Sequence, residues 1–161
     1  MKQLSILLII IGSSFGCSTD NTIDNTIPVE EQLAIDIAII DNWLADTSIT
    51  DVIVHPTGIR YTINKQGSGP KVEITDIVRL NYEGRFLDTG VVFDSGQIGP
   101  KVFNAGWGLI EGWYHMVLEM YEGDEYTVYI PSKYAYGNRG SGSIPPNTVI
   151  VFDIDLIQVT K

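Results

Sequence analysis

The chain has 161 residues, a net charge of −10, a single cysteine and 44% hydrophobic residues, enough apolar material for one compact core. Its 20 acidic residues outnumber 10 basic ones, and no basic cluster stands anywhere, which excludes a nucleic-acid partner that would need clustered Lys and Arg at its phosphates. A lone cysteine excludes an intrachain disulfide, so the fold stands on packing.

The first residues, MKQLSILLIIIGSSFGC, place one lysine before an apolar run from Leu4 to Ile11, then small residues and Cys17. The run is too short to cross a bilayer and reads as a removable signal over residues 1–16. Cleavage before a cysteine is the pattern of bacterial lipoproteins, which SFGC resembles, although Ser14 and Phe15 depart from the commonest form. The resemblance implies that Cys17 becomes the lipid-modified first residue and holds the protein to a membrane, each buried methylene adding about 0.8 kcal/mol. The place implied is the cell envelope, at the outer membrane in bacteria that have one, facing the periplasm or the surface. A signal cut elsewhere would instead leave a free thiol.

Residues 17–27 are rich in Asn, Thr and Asp and suit a flexible tether. In the following segment, 28–56, Pro28, Glu30 and Glu31 suit a first helical turn. Leu33, Ile37, Ile40 and Leu44 then recur at helical spacing. Ile35, Ile39 and Trp43 widen the apolar arc, so the helix either packs on the domain that follows or offers a dimer or partner contact around Trp43.

From Thr57 to the end, strand patterns dominate. Val78, Leu80 and Tyr82 alternate with Ile77, Arg79 and Asn81; Tyr126, Val128 and Ile130 share a face, as do Ile150, Phe152, Ile154 and Leu156. Between them GLIEGWYHMVLEM brings Ile110, Trp113, Val117 and Met120 to one helical face. The expected class is α+β: an antiparallel sheet wrapped over one short helix, with an extra N-terminal helix.

Chemistry that needs metals or nucleophiles finds little support. His55 and His115 are far apart in sequence without Cys or Glu at ligand spacing, and no serine stands in a nucleophile elbow. No cofactor and no metal are expected, and His115 is expected to be solvated.

The blocks LNYEG, VVFDS, FNAGWGLIEGW, IPSKYAYG and IPPNTVIVFDIDLI occur in the order and approximate spacing of the FK506-binding-protein family of peptidyl-prolyl isomerases, which the chain resembles from about Thr57 to Lys161. The resemblance implies a half-wrapped antiparallel sheet with an apolar pocket between it and the short helix. Tyr82, Phe93, Asp94, Trp113 and Tyr136 would then carry catalysis, with Trp113 as the floor. Phe103, Leu109, Ile110, Ile144 and Phe152 would bind substrate, Ile144 from the tip of a flexible arm, GNRGSGS. Taken singly, Phe93, Trp113 and Phe152 read better as core aromatics, with half-buried residues the alternative reading of Tyr82 and Tyr136, and a turn cap that of Asp94. The implied activity is acceleration of X-Pro rotation in extracytoplasmic proteins, and the implied partners are proline-containing polypeptides and FK506-like or rapamycin-like macrolides. A peptide-binding chaperone would use the same pocket with little turnover, whereas an accessory envelope or motility lipoprotein would meet a defined partner on the helix around Trp43 and tolerate changes in the pocket. The sequence departs from the family in a shortened loop from Asp94 to Phe103 and in Ala105, where leucine is usual, so the rim differs more than the floor.

Overall fold

The computed structural model describes residues 27–96 and 99–161. Helix α1 (Val29–Asp46) is followed by β1 (Ile53–Val54), β2 (Arg60–Lys65), β3 (Ile77–Phe86), β4 (Val92–Ser95) and β5 (Lys101–Asn104). Helix α2 (Glu111–Val117), β6 (Glu125–Ile130), a 3-10 turn (Ser132–Tyr134) and β7 (Ile150–Thr160) complete the chain. The strands pair antiparallel in the order β1-β2-β6-β7-β3-β4. β5 shares the outer edge of β3 with β4: β5 pairs with Ile77 to Leu80 and β4 with Glu83 to Arg85. This is the expected antiparallel α+β architecture, and its sheet begins at Ile53, upstream of the boundary expected at Thr57.

The two long strands at the centre alternate residue by residue, so each can bury both faces if each face is covered. Val78 and Leu80 of β3, Val128 and Ile130 of β6, and Ile150, Phe152, Ile154 and Leu156 of β7 pack with Trp113, Met116 and Val117 of α2 in one core. The alternate residues, Tyr129, Val149 and Val151, form a second core with Ile40 and Leu44 of α1, against which Trp43 packs. The strand alternation alone suggested one covered face; α1 covers the other.

Three contacts tie α1 down. Trp43 lies on Tyr129, with ring centroids 5.7 Å apart. Arg60, 8% exposed, donates from Nε and Nη2 to the two carboxylate oxygens of Asp41, each at 2.8 Å. Asp36 is fully buried; its Oδ2 accepts hydrogen bonds from the backbone N–H of Ser132 at 2.7 Å and the Ser132 hydroxyl at 2.6 Å, and its Oδ1 accepts from Gln32. Ile35 and Ile39, on the far side of the helix, stay exposed. Among the described residues no helix is long and apolar enough to cross a membrane. The signal, Cys17 and nearly all of the tether lie outside the described residues.

The GNRGSGS segment is a closed turn rather than a loose arm. Ser141 and Ile144 exchange two backbone hydrogen bonds of 2.9 Å, and the N–H of Asn147 donates to the carbonyl of Gly137 at 2.8 Å. Gly137, Gly140 and Gly142 take positive φ here, a conformation that only glycine adopts cheaply. The turn folds Ile144 into the first core, 7% exposed.

Candidate functional site

Four elements converge on one side of the sheet. Tyr82 comes from the middle of β3, Phe152 from β7, Phe103 from β5 and Trp113 from the first turns of α2. Trp113 is 4% exposed and stands edge-on to Tyr82 and Phe152, with ring centroids 5.0 Å away in both cases and interplanar angles of 88° and 84°. Phe103 closes the set at 5.6 Å from Trp113 and 6.1 Å from Tyr82. Edge-to-face pairs at these spacings contribute about 0.5–1.5 kcal/mol each beyond burial, so the rings form a rigid box.

The box encloses a cavity of about 150 Å³ lined by Tyr82, Asp94, Phe103, Gly108, Leu109, Ile110, Trp113, Tyr136 and Phe152. Eight of the ten pocket residues expected from the sequence meet here. The other two do not line it. Phe93 stands behind Phe152, edge-on at 5.7 Å, and also contacts Phe86, so it supports a wall. Ile144 belongs to the core, because the closed turn carries it inward.

A larger hollow of about 360 Å³ lies elsewhere on the sheet, its lining including Glu83, Glu125, Asp153, Asp155, Asn64 and Asn81. Three of its four carboxylates already have partners: Asp153 pairs with Arg85, Glu125 with Lys65, and Asp155 accepts from Asn81. The aromatic cavity is the better site, because it combines apolar walls with a few convergent polar groups.

Those polar groups are three. The Tyr82 hydroxyl donates to Asp94 Oδ2 at 3.0 Å. Burial, reinforced by that hydrogen bond and by the Asp94 charge, pushes the Tyr82 phenol up to about 12, so it stays a proton donor throughout the physiological range. Tyr136 is likewise raised, first by burial and then by the charge on Asp94. The third group is the Asp94 carboxylate itself, while Trp113 Nε1 is buried without a hydrogen-bond partner among the described residues.

Positioning residues were less visible in the sequence. A Cβ at Gly84 would lie 2.4 Å from Phe152 Cε1 and 2.9 Å from Phe93 Cζ, so only glycine lets those rings lie flat on β3. Gly96 sits against Tyr82 in a similar way, its Cβ position 3.3 Å from Cδ1. Asp36 holds Ser132, whose carbonyl accepts the N–H groups of Ala135 at 2.9 Å and Gly137 at 2.8 Å, bracketing Tyr136. An aspartate inside the apolar stretch AIDIAII was the available signal, since a charge there is buried only against a partner.

The histidines, far apart in sequence, meet at α2, where the His115 side chain, expected to be solvated, is 29% exposed. Their ring centroids are 5.5 Å apart, and His115 also stands against Tyr134. Among the described residues no group of three or more His, Cys, Asp or Glu is placed to hold a metal.

An antiparallel sheet holding an aromatic cavity against a short helix defines an α+β domain with a candidate apolar binding site. Residues 69–157 match the FKBP-type peptidyl-prolyl cis-trans isomerase family, and the chain belongs to it. It is 40% identical over 107 residues to the FKBP-type isomerase FkpA of Aeromonas hydrophila, covering 65% of this chain and 39% of that one. It is 36% identical over 120 residues to the outer membrane protein MIP of Legionella longbeachae, covering 73% of this chain and 51% of that one. The crystal structure of a peptidyl-prolyl cis-trans isomerase from Pseudomonas syringae superposes with a TM-score of 0.69 at 31% identity, over 84% of this chain and 98% of that one. The chain thus spans about half or less of the length of those two curated relatives.

Proposed function

We propose that the protein accelerates cis-trans rotation about X-Pro bonds, with the Trp113 cavity as its active site. The observation that carries this reading is the cavity itself: an aromatic box just large enough for a pyrrolidine ring, with hydroxyl donors at one rim and no reactive nucleophile.

Rotation must break amide resonance, a barrier of about 18–20 kcal/mol, and the planar amide is more polar than the twisted one. Seating the proline ring on Trp113, between Tyr82, Phe103 and Phe152, strips water from the amide and so favours the less polar, twisted state. The protonated Tyr136 hydroxyl and the backbone N–H of Ile110, where α2 begins, are the donors that would hold the rotating carbonyl. Asp94 fixes Tyr82 and supplies a polar edge. Phe93 acts through Phe152, by keeping that wall upright. No bond is made or broken, so no cofactor enters. Proline-containing polypeptides are the substrates, and FK506-like macrolides are competing occupants of the same apolar box.

The test is a proline-isomerisation assay on a panel of X-Pro peptides, comparing wild type with Tyr136→Phe and Phe93→Ala. The reading requires rate acceleration that falls partly in the first variant and strongly in the second. Well-folded wild type that accelerates no peptide refutes it, and the peptide-binding alternative, which would draw on the exposed Ile35 and Ile39, then takes its place.

We further propose that Cys17 is lipidated and anchors the domain to the cell envelope, on the strength of SFGC after an apolar leader. Mass spectrometry of the protein extracted from bacterial membranes tests this: an acylated N-terminal cysteine supports it, and unmodified Cys17 rejects it.

A further inference from the structure

The rim of the cavity carries one side chain that neither core uses. Trp107 is 79% exposed, an unusual state for the residue with most apolar surface to lose from water. It lies one residue before Gly108, Leu109 and Ile110, which line the cavity.

Its position is held rather than accidental. Asn104 and Trp107 form a β-bridge, with the Trp107 N–H donating to the Asn104 carbonyl at 3.2 Å. The Asn104 side chain accepts from the N–H of Gly106 at 2.9 Å, and the N–H of Ala105 donates to the carbonyl of Asp76 at 3.0 Å. Ala105 is fully buried, and a Cβ at Gly106 would come within 2.7 Å of the Ile74 carbonyl. The turn is therefore clamped onto the loop before β3, with its tryptophan left facing solvent. Ile74, 53% exposed on that loop and packed against Gly106, and Leu109, half-buried two residues after the tryptophan, add further apolar surface to the turn.

The chemistry of the occupant follows from what the turn lacks. From Asn104 to Ile110 the sequence NAGWGLI carries no charge, so the surface has no ion pair to offer and rewards burial alone. Gly108, which lines the cavity, takes a positive φ of 77° with open space around its Cβ position, so no side chain rises between Trp107 and Leu109. Trp107 lies in the segment between Phe103 and Gly108, both of which line the cavity, so its turn belongs to the cavity's edge. We propose that Trp107 is a specificity residue: it receives a large apolar or aromatic side chain that flanks the X-Pro unit of the substrate, extending recognition beyond the proline ring. This rests on the isomerase reading and names its substrate preference.

The experiment uses peptides identical except that the residues flanking X-Pro are, one at a time, Ala, Leu, Phe or Arg, with wild type, Trp107→Ala and Trp107→Phe. One aromatic contact at an exposed rim corresponds to a preference of roughly three- to tenfold. The kcat/KM ratio of Leu- or Phe-flanked over Ala-flanked peptide should be of that size in wild type, collapse towards one in Trp107→Ala, and return in Trp107→Phe. An unchanged ratio in Trp107→Ala, or a Trp107 dependence confined to the Arg-flanked peptides, overturns the assignment. The indole N–H resonance of Trp107, assigned by its loss in Trp107→Phe, separates the two readings. If wild type turns over no peptide yet Leu- and Phe-flanked peptides alone shift this resonance, the subsite stands and the isomerase reading falls. If no peptide shifts it, the subsite falls.

Discussion

Replacing Asp36 by alanine tests how the N-terminal helix serves the site. The fully buried carboxylate receives the Ser132 N–H at 2.7 Å and the Ser132 hydroxyl at 2.6 Å, both from outside α1. Ser132 is itself 1% exposed, so in Asp36→Ala both donors lose their partner where water is scarce. Each orphaned donor costs about 1–3 kcal/mol, and relief of carboxylate desolvation returns part of that, leaving a net loss of about 3 kcal/mol. For a domain of this size the loss corresponds to a fall in Tm of roughly 10 °C. The hydroxyl can turn to another acceptor, but the N–H of Ser132 cannot. Urea unfolding at neutral pH measures the change, and Asp36→Asn, which retains one oxygen, should lose about half as much. Because Ser132 anchors the turn that carries Tyr136, the isomerisation rate at 15 °C should fall while the chain is still folded. A stability change below about 0.5 kcal/mol in Asp36→Ala, with the rate intact, would refute the reasoning and leave α1 held by its apolar face and the Asp41–Arg60 pair alone.

Three further outcomes are expected. Gly84→Ala places a methyl 2.4 Å from Phe152, which should displace a cavity wall, cost about 1–3 kcal/mol in denaturant unfolding and reduce kcat/KM more than KM alone explains. Asp94→Asn removes the charge and weakens the hydrogen bond that reinforce burial at Tyr82, so its phenol, near 12 in the wild type, should titrate lower in ultraviolet difference spectra. His55 has its pKa lowered from 6.5, first by burial and then by the facing His115, with Glu119 opposing. The unfolded chain then binds more protons below pH 6.5, so stability should be full above that value and decline as pH falls through it. His115→Gln should flatten the decline measured by unfolding between pH 7 and pH 5, even with Glu111 left beside the glutamine.

How far the chain could be read without its structure depended on the range of the interaction. Strand alternation in LNYEG and VIVFDIDLI, and the 3.6-residue spacing of Ile110, Trp113 and Val117, are set by backbone geometry and stand in the sequence itself. They were enough to bring Tyr82, Trp113 and Phe152 to the same side of the fold. Phe93 and Ile144 belong to segments whose direction is set by loop closure: a glycine-rich turn reads as flexible until its hydrogen bonds are counted, and Ile144 went into the core. Asp36 shows the same limit, because its partner Ser132 lies 96 residues away and no local pattern connects them.

The sequence by itself determined the class of elements and their order, since those follow from side-chain periodicity, while the aromatic site was legible only through the resemblance to the FK506-binding-protein family. Tertiary structure alone decided that α1 covers the second face of the sheet, that two histidines distant in sequence meet at α2, and that Trp107 is left uncovered at the cavity rim. Each of these is a matter of which surfaces meet across long stretches of chain, where close packing admits one arrangement and excludes the rest.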